Sequence, residues 1–231
     1  SLTYNLSDIL IAQSFSFKKL LKKRSKRKIY YLPNFAENFN KTKKRKYRNK
    51  KFVIMYAGNI GKAQKLITLI KAAQKIKYNK KLLIRIFGDG VELKKLKEYK
   101  YQNKINNVEF HNKLPSSKIY KKYKKANALY LSLAKNKFLN FTIPAKLQTY
   151  FSLSKPIIAS ASGETKKIIH QSKAGYCSNP EDIPALTKNI LKILNNKNAK
   201  IKNFEKNSKK YFLNNFDRRL IVSKLNKILR D

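Results

Sequence analysis

Phe52-Val53-Ile54-Met55-Tyr56-Ala57-Gly58-Asn59-Ile60-Gly61-Lys62 decides the architecture. Six apolar residues in an unbroken run read as a strand covered on both faces. Two glycines follow, and they read as a turn in which backbone can approach a ligand closely. Lys62 to Tyr78 then places Leu66, Leu69, Ile70, Ala73 and Ile76 at helical spacing, which predicts a helix.

The same unit repeats downstream. Strands are predicted over Leu82–Phe87, Val108–Phe110, Ala128–Leu133, Pro156–Ala161 and Gly175–Cys177. Helices alternate with them over Val91–Lys104, Ser116–Lys125 with Ser117 as a cap, Pro144–Ser152 and Gly163–Gln171. Three more are predicted over Glu181–Asn195, Lys202–Phe212 and Arg218–Arg230. Upstream, Asp8–Ala12, Phe15–Lys26 and Lys28–Leu32 read as strand, amphipathic helix and strand, stopped by Pro33-Asn34. Alternation of this kind specifies the α/β class: a Rossmann-like parallel sheet with helices on both faces. Ligands of such sheets lie at the carboxyl ends of the strands, so the loops there carry the chemistry.

Composition narrows the setting. The chain has 231 residues, with 55 Lys+Arg against 12 Asp+Glu, a net charge of +43. That excess points to an anionic membrane or nucleic acid, or to the Lys- and Asn-rich habit of an AT-rich genome. The lysines are spread along the whole chain, which favours the compositional reading, and no specific nucleic-acid partner is expected. The densest run, Lys41 to Lys51, holds eight Lys/Arg in eleven residues and reads as a solvated linker. A single cysteine, Cys177, excludes a disulfide framework and fits a reducing compartment. No apolar run approaches the roughly 18 residues of a membrane span. The chain opens on Ser1-Leu2-Thr3-Tyr4, without an initiator Met, so a missing N-terminal part is expected.

Five loops are candidates. Gly58 to Lys62 is not Gly-x-Gly-x-x-Gly and lacks the Gly-Lys-Ser/Thr of a P-loop, but a helix start after it would offer N–H groups to phosphate. Gly88-Asp89-Gly90 closes the second strand. Asn112-Lys113-Leu114 follows His111, one of two histidines; His170 lies in a helix, and the lone Cys gives no zinc spacing. Asn140 to Tyr150 has Pro144 at a helix start, Thr142 as its cap and Lys146 one turn in, a combination suited to a diphosphate. Gly163-Glu164 begins another helix, where Glu164 either meets a ligand hydroxyl or complements the helix N-terminus.

Taken in order, Tyr56 to Gln64, Phe87 to Gly90, Thr142 to Tyr150, Ser154 to Ala159 and Gly163-Glu164 resemble the C-terminal domain of a family 4 (group 1) glycosyltransferase of the GT-B fold. The wording is closest to the O-antigen and capsule branch of fucosamine-transferase-like enzymes. Tyr31 to Glu37 resembles the segment leaving the first domain. The resemblance implies four parts. They are the tail of a first Rossmann-like domain (1–34), a linker (35–51), a donor domain (52–212) and a C-terminal crossing helix (213–231). It implies a retaining, metal-independent hexosyl or N-acetylhexosaminyl transferase that uses a nucleotide-diphosphate sugar, UDP-linked, as substrate and needs no cofactor. The acceptor would be lipid-linked or a glycan, in surface polysaccharide synthesis at the cytoplasmic face of the plasma membrane.

The residues carried over are as follows. Gly58, Asn59 and Gly61 match the glycine loop beside the diphosphate. Gln64 falls where relatives carry a phosphate-binding lysine, with Lys65 adjacent. Gly88 belongs to the second loop, and Asn112, Lys113 and Leu114 match the segment framing the base. Thr142, Pro144 and Lys146 match the helix start at the diphosphate and sugar, and Gly163 and Glu164 border the same cleft. The family's paired glutamates are absent: Phe141 and Thr149 hold their positions, leaving Gln148 or Thr149 to reach a ribose by hydrogen bonding alone. Catalytic residues are not identified and are expected partly in the missing domain. The competing reading is a basic Rossmann-like module that binds anionic membrane or nucleic acid without catalysis. An epimerase would need Tyr-x-x-x-Lys beside a dinucleotide fingerprint, and Tyr120 with Lys124 stands without one.

Overall fold

A computed structural model describes residues 2–39 and 50–230. Most of the basic run from Lys41 to Lys51 lies outside the described residues. The elements begin with α1 (Leu2–Leu6), β1 (Leu10–Ala12), α2 (Phe15–Lys22) and β2 (Ile29–Tyr31). Next come β3 (Phe52–Ala57), α3 (Ile67–Lys75), β4 (Leu82–Phe87), α4 (Leu93–Gln102), β5 (Val108–His111) and α5 (Ser116–Lys125). The second half holds β6 (Ala128–Ser132), α6 (Ala145–Ser152), β7 (Ile157–Ser160), α7 (Gly163–Ser172) and β8 (Gly175–Ser178). The chain closes with α8 (Ile183–Leu194), α9 (Asn198–Asn215) and α10 (Arg218–Arg230).

Six strands form one parallel sheet in the order β5-β4-β3-β6-β7-β8. Counted from β3, this is the 3-2-1-4-5-6 order of a doubly wound sheet, and its direction reverses between β3 and β6. Alternate residues of each strand feed opposite cores. Met55, Ala57, Leu129 and Leu131 pack with Tyr123, Leu147, Phe151 and Phe212 on one face. Ile54, Tyr56, Ile84 and Tyr130 pack with Leu69, Ile70, Leu96 and Leu186 on the other. Both faces are dry, which is why the strands read as continuous apolar runs.

Between β3 and β6 the paired residues are Ile54 with Ala128 and Met55 with Leu129, low in the sheet. Above them the strand ends are left to other partners, and the Ala134 N–H donates to the Ala63 carbonyl at 2.8 Å. A doubly wound sheet takes its ligands at such a reversal, so the loops after β3 and β6 are the place to look for a site.

β1 and β2 make a separate two-stranded parallel sheet bridged by α2. Beyond it, the Ala36 N–H donates to the Phe216 carbonyl at 3.1 Å, and Arg218 meets Glu37 at 3.1 Å. The chain is thus pinned at the α9–α10 corner just before the 40–49 segment. α9 runs unbroken through residue 213, so the expected start of a crossing segment there falls inside a helix.

Three local expectations change. The helix predicted from Lys62 begins only at Ile67, because Lys62–Gln64 is a 3-10 turn and Lys65 takes φ +44°. A left-handed residue ends one helical path and starts another. Ser117 does not cap α5, whose N-cap is Pro115 with no side-chain bond. Pro144 stands at the N-cap of α6 rather than inside its first turn.

Candidate functional site

The turn after β3 lies flat on the turn after β4. Gly58 N–H donates to the Phe87 carbonyl (2.9 Å), and Ile60 N–H donates to the Asp89 carbonyl (2.8 Å). Gly88 has φ +155°, and a Cβ there would sit 2.0 Å from the Gly58 carbonyl oxygen. Only glycine permits both the conformation and the approach. Gly58, at φ +138°, faces a different neighbour: a Cβ would meet the Lys146 Cε and Nζ at 2.4 Å. The space a side chain would fill is taken by an ammonium group.

Lys146 comes from the first turn of α6, on the far side of the reversal point. Its Nζ donates to the Tyr56 hydroxyl at 2.6 Å and lies 4.0 Å from the centre of the Tyr56 ring. The Tyr56 hydroxyl in turn donates to the Asn59 carbonyl at 2.5 Å. Burial pushes the Lys146 ammonium down to a pKa of about 8. Burial also raises the Tyr56 phenol, so it stays protonated. No acidic side chain forms an ion pair with Lys146 among the described residues. Asp89 accepts from the Gly90 N–H at 2.8 Å, and Glu181 faces Lys65 at 3.8 Å.

A cation partly withdrawn from water without an anion beside it is costly, and its surroundings add to the attraction for one. Among the described residues no side chain caps α6; the Leu147 N–H turns back to the Pro144 carbonyl at 2.8 Å, which leaves the Ala145 and Lys146 N–H groups of the first turn for a ligand. The expected Thr142 cap is not formed: the Thr142 hydroxyl donates back to the Leu139 carbonyl at 2.9 Å. The extra 3-10 turn Leu139–Phe141 places that carbonyl within its reach.

The other predicted residues fall into groups around this point. Asn59 and Gly61 share the turn with Gln64, whose side-chain oxygen accepts from the Gly61 N–H at 3.1 Å. That N–H, expected to face phosphate, is therefore occupied, and Gln64 clamps the turn. Lys65 points away to Glu181. Asn112 and Lys113 are exposed after β5, while Leu114 packs on the core. They stand next to His111, which stacks on Phe87 with ring centres 4.4 Å apart. Gln148 is buried with its Nε2 lacking a partner. Thr149 bonds back to the Ala145 carbonyl at 3.2 Å.

Gly163 packs under Asn140, and the Ser162 hydroxyl donates to the Asn140 side chain. Glu164 stands in the first turn of α7, where its charge complements the helix N-terminus as one of its two readings had it. It is buried, and its carboxylate accepts from both the backbone N–H (2.9 Å) and the hydroxyl of Ser16. Ser14, the N-cap of α2, adds a bond to the Phe141 carbonyl. The start of α2 is thereby clasped to the rim of the large sheet. Sequence reasoning missed this clasp, since a contact across 148 residues leaves no local pattern. It also used Tyr56 as a strand residue and as the first of the Tyr56–Gln64 motif, and gave its hydroxyl no role. The signal there was a phenol near the end of an otherwise wholly apolar run, because a buried tyrosine hydroxyl needs a partner. Among the described residues no cluster of three or more His, Cys, Asp or Glu forms a metal cage. No described helix is long and apolar enough to cross a membrane.

Comparison with known proteins places this geometry. A family model, glycosyl transferases group 1, matches residues 37–211. No curated protein sequence matches the chain. Among solved structures, HepE from Anabaena in complex with UDP-glucose superposes with a TM-score of 0.80 at 13% identity, over 99% of this chain and 65% of its own. Sucrose-phosphate synthase from Thermosynechococcus elongatus gives 0.80 at 17% identity, over 99% and 59%. The pneumococcal O-GlcNAc transferase GtfA, in complex with UDP and GlcNAc, gives 0.75 at 16%, over 97% and 46%. The chain spans less than two thirds of the length of each.

Proposed function

The chain belongs to the glycosyl transferases group 1, and from that premise we propose that its crevice binds a nucleotide-diphosphate sugar, UDP-linked, as donor in glycosyl transfer. The observation that carries this is the Lys146 ammonium, partly buried against Gly58 at the reversal of the sheet and without an acidic partner among the described residues. A diphosphate supplies that anion. Its second phosphate would meet the uncapped N-terminus of α6. When the glycosidic bond breaks, charge grows on the departing diphosphate. A preformed cation and aligned N–H groups stabilise that charge without having to reorganise. The neighbours crystallised with UDP and UDP-glucose support the choice of base.

The finer reading follows the family resemblance. Transfer proceeds with retention, without an essential metal ion or cofactor, in the fucosamine-transferase-like branch. The acceptor is lipid-linked or a glycan of surface polysaccharide. The chain works at the inner face of the plasma membrane, and its net charge of +43 supports attraction to anionic lipid. Sedimentation with vesicles of anionic and of neutral lipid tests that placement; equal binding to both would count against it.

Titration calorimetry and melting curves with UDP, GDP and dTDP test the donor. UDP is expected to raise the melting temperature, as any ligand of the native state does. No shift with any of the three at millimolar concentration would sink the proposal.

A further inference from the structure

The donor proposal needs a cation at Gly58, but a lysine on four methylenes does not stay in one place unaided. Three contacts hold this one. The Tyr56 hydroxyl accepts from Nζ at 2.6 Å, the ring lies under the ammonium, and the Gly58 backbone closes the other side. Tyr56 is itself immobile. It is fully buried, packed among Ile54, Leu69, Ile70 and Tyr130. Its hydroxyl hydrogen is directed at the Asn59 carbonyl, so its lone pairs are left for Lys146. One phenol thus joins two elements from opposite sides of the reversal point: the turn after β3 and the first turn of α6.

We infer that Tyr56 is the positioning residue of this crevice: its hydroxyl pins the Lys146 ammonium to the Gly58–Asn59 turn, so that cation and turn meet a diphosphate as one preformed unit. The inference rests on the donor reading above.

The geometry has a consequence for pH. The titratable groups facing this point are the phenols of Tyr56 from β3, Tyr123 from α5, Tyr130 from β6 and Tyr150 from α6, and burial holds all four phenols protonated. The nearby carboxylates are engaged elsewhere, Asp89 with Gly90, Glu164 with Ser16 and Glu181 with Lys65. Lys146 is therefore the group that changes charge as pH rises past about 8. A bound diphosphate holds its proton on, so UDP affinity is level below that point and falls above it. Without the hydroxyl, the lysine stem swings toward water and regains its ordinary basicity. The fall in affinity then moves to higher pH.

The test is calorimetric titration of UDP into the full chain and into Tyr56→Phe, from pH 6.5 to 10. The expected result is a five- to tenfold weaker affinity for the variant at pH 7, about one hydrogen bond's worth, with its pH fall displaced upward. A Tyr56→Phe protein with unchanged affinity and an unchanged pH profile would overturn the inference. A wild-type chain that ignores UDP would overturn the donor reading instead. Lys146→Arg guards against a variant that does not fold. It keeps the charge but cannot seat a planar guanidinium on one hydroxyl, so it is expected to bind UDP as weakly as Tyr56→Phe. Wild-type affinity in Lys146→Arg would show that charge alone suffices and would refute the positioning role.

Discussion

Replacing Lys146 with Met separates what the site costs from what it does. The ammonium lies at a pKa of about 8 in the folded chain against an ordinary 10.5. Two and a half units correspond to about 3 kcal/mol of penalty at pH 7. Methionine fills a similar volume and carries no charge, so that penalty vanishes. Against this stand the lost hydrogen bond to Tyr56 and the lost ring contact, together about 1–2 kcal/mol. The net effect is a more stable free protein, by about 1–2 kcal/mol, or a Tm higher by about 2–8 °C for a chain of this size. Binding moves the other way. Loss of one charge-assisted bond to a diphosphate weakens UDP by roughly 10- to 100-fold. The sign with pH follows. The unfolded chain holds the Lys146 proton up to the ordinary value, whereas the folded chain releases it from about 8. Wild-type stability therefore rises between these values, and the gap to Lys146→Met closes there. Scanning calorimetry with and without UDP at pH 7 and pH 10 measures all four quantities. A variant that melts below wild type and keeps the full UDP shift would refute the assignment of Lys146 as an unpaired anion ligand.

Three further outcomes are expected. Gly88→Ala forces a Cβ to within 2.0 Å of the Gly58 carbonyl at a φ of +155°, and should cost more than about 2 kcal/mol in denaturant unfolding; a neutral result would show that the two turns can separate freely. Gly58→Ala should expel the Lys146 ammonium it would touch at 2.4 Å, and so reduce UDP affinity as Lys146→Met does. Equal UDP binding in a folded Gly58→Ala protein would contradict the close packing. Glu164→Ala leaves the Ser16 N–H and hydroxyl without an acceptor, and should cost about 1–3 kcal/mol. It should also speed proteolysis within residues 9–34, and unchanged protection there would argue against the clasp.

The residues differ in how much of this was legible along the chain. β3, β4, α5 and α10 fall where apolar runs and helical spacing put them, because those signals are local and the dry faces of the sheet demand them. Lys146 was legible as a cation beside a helix start. Glu164 was legible only as an acid near a cleft. Its partner is Ser16 in the first turn of α2, 148 residues away along the chain and brought close only by the tertiary fold. The delayed start of α3 turns on Lys65 in a left-handed conformation, a state that composition does not announce for lysine.

The sequence by itself determined the class of fold and the end of the sheet where a ligand must sit, since alternation of buried strands and amphipathic helices allows few arrangements. It also supplied, through Gly58, Lys146 and the ordered motifs around them, the residues on which the proposed diphosphate reading rests. Only the tertiary structure decided the roles. Tyr56 and Lys146, 90 residues apart along the chain, meet beside Gly58 because the sheet reverses between β3 and β6. Partial burial there lowers the basicity of a lysine that, among the described residues, has no acidic partner.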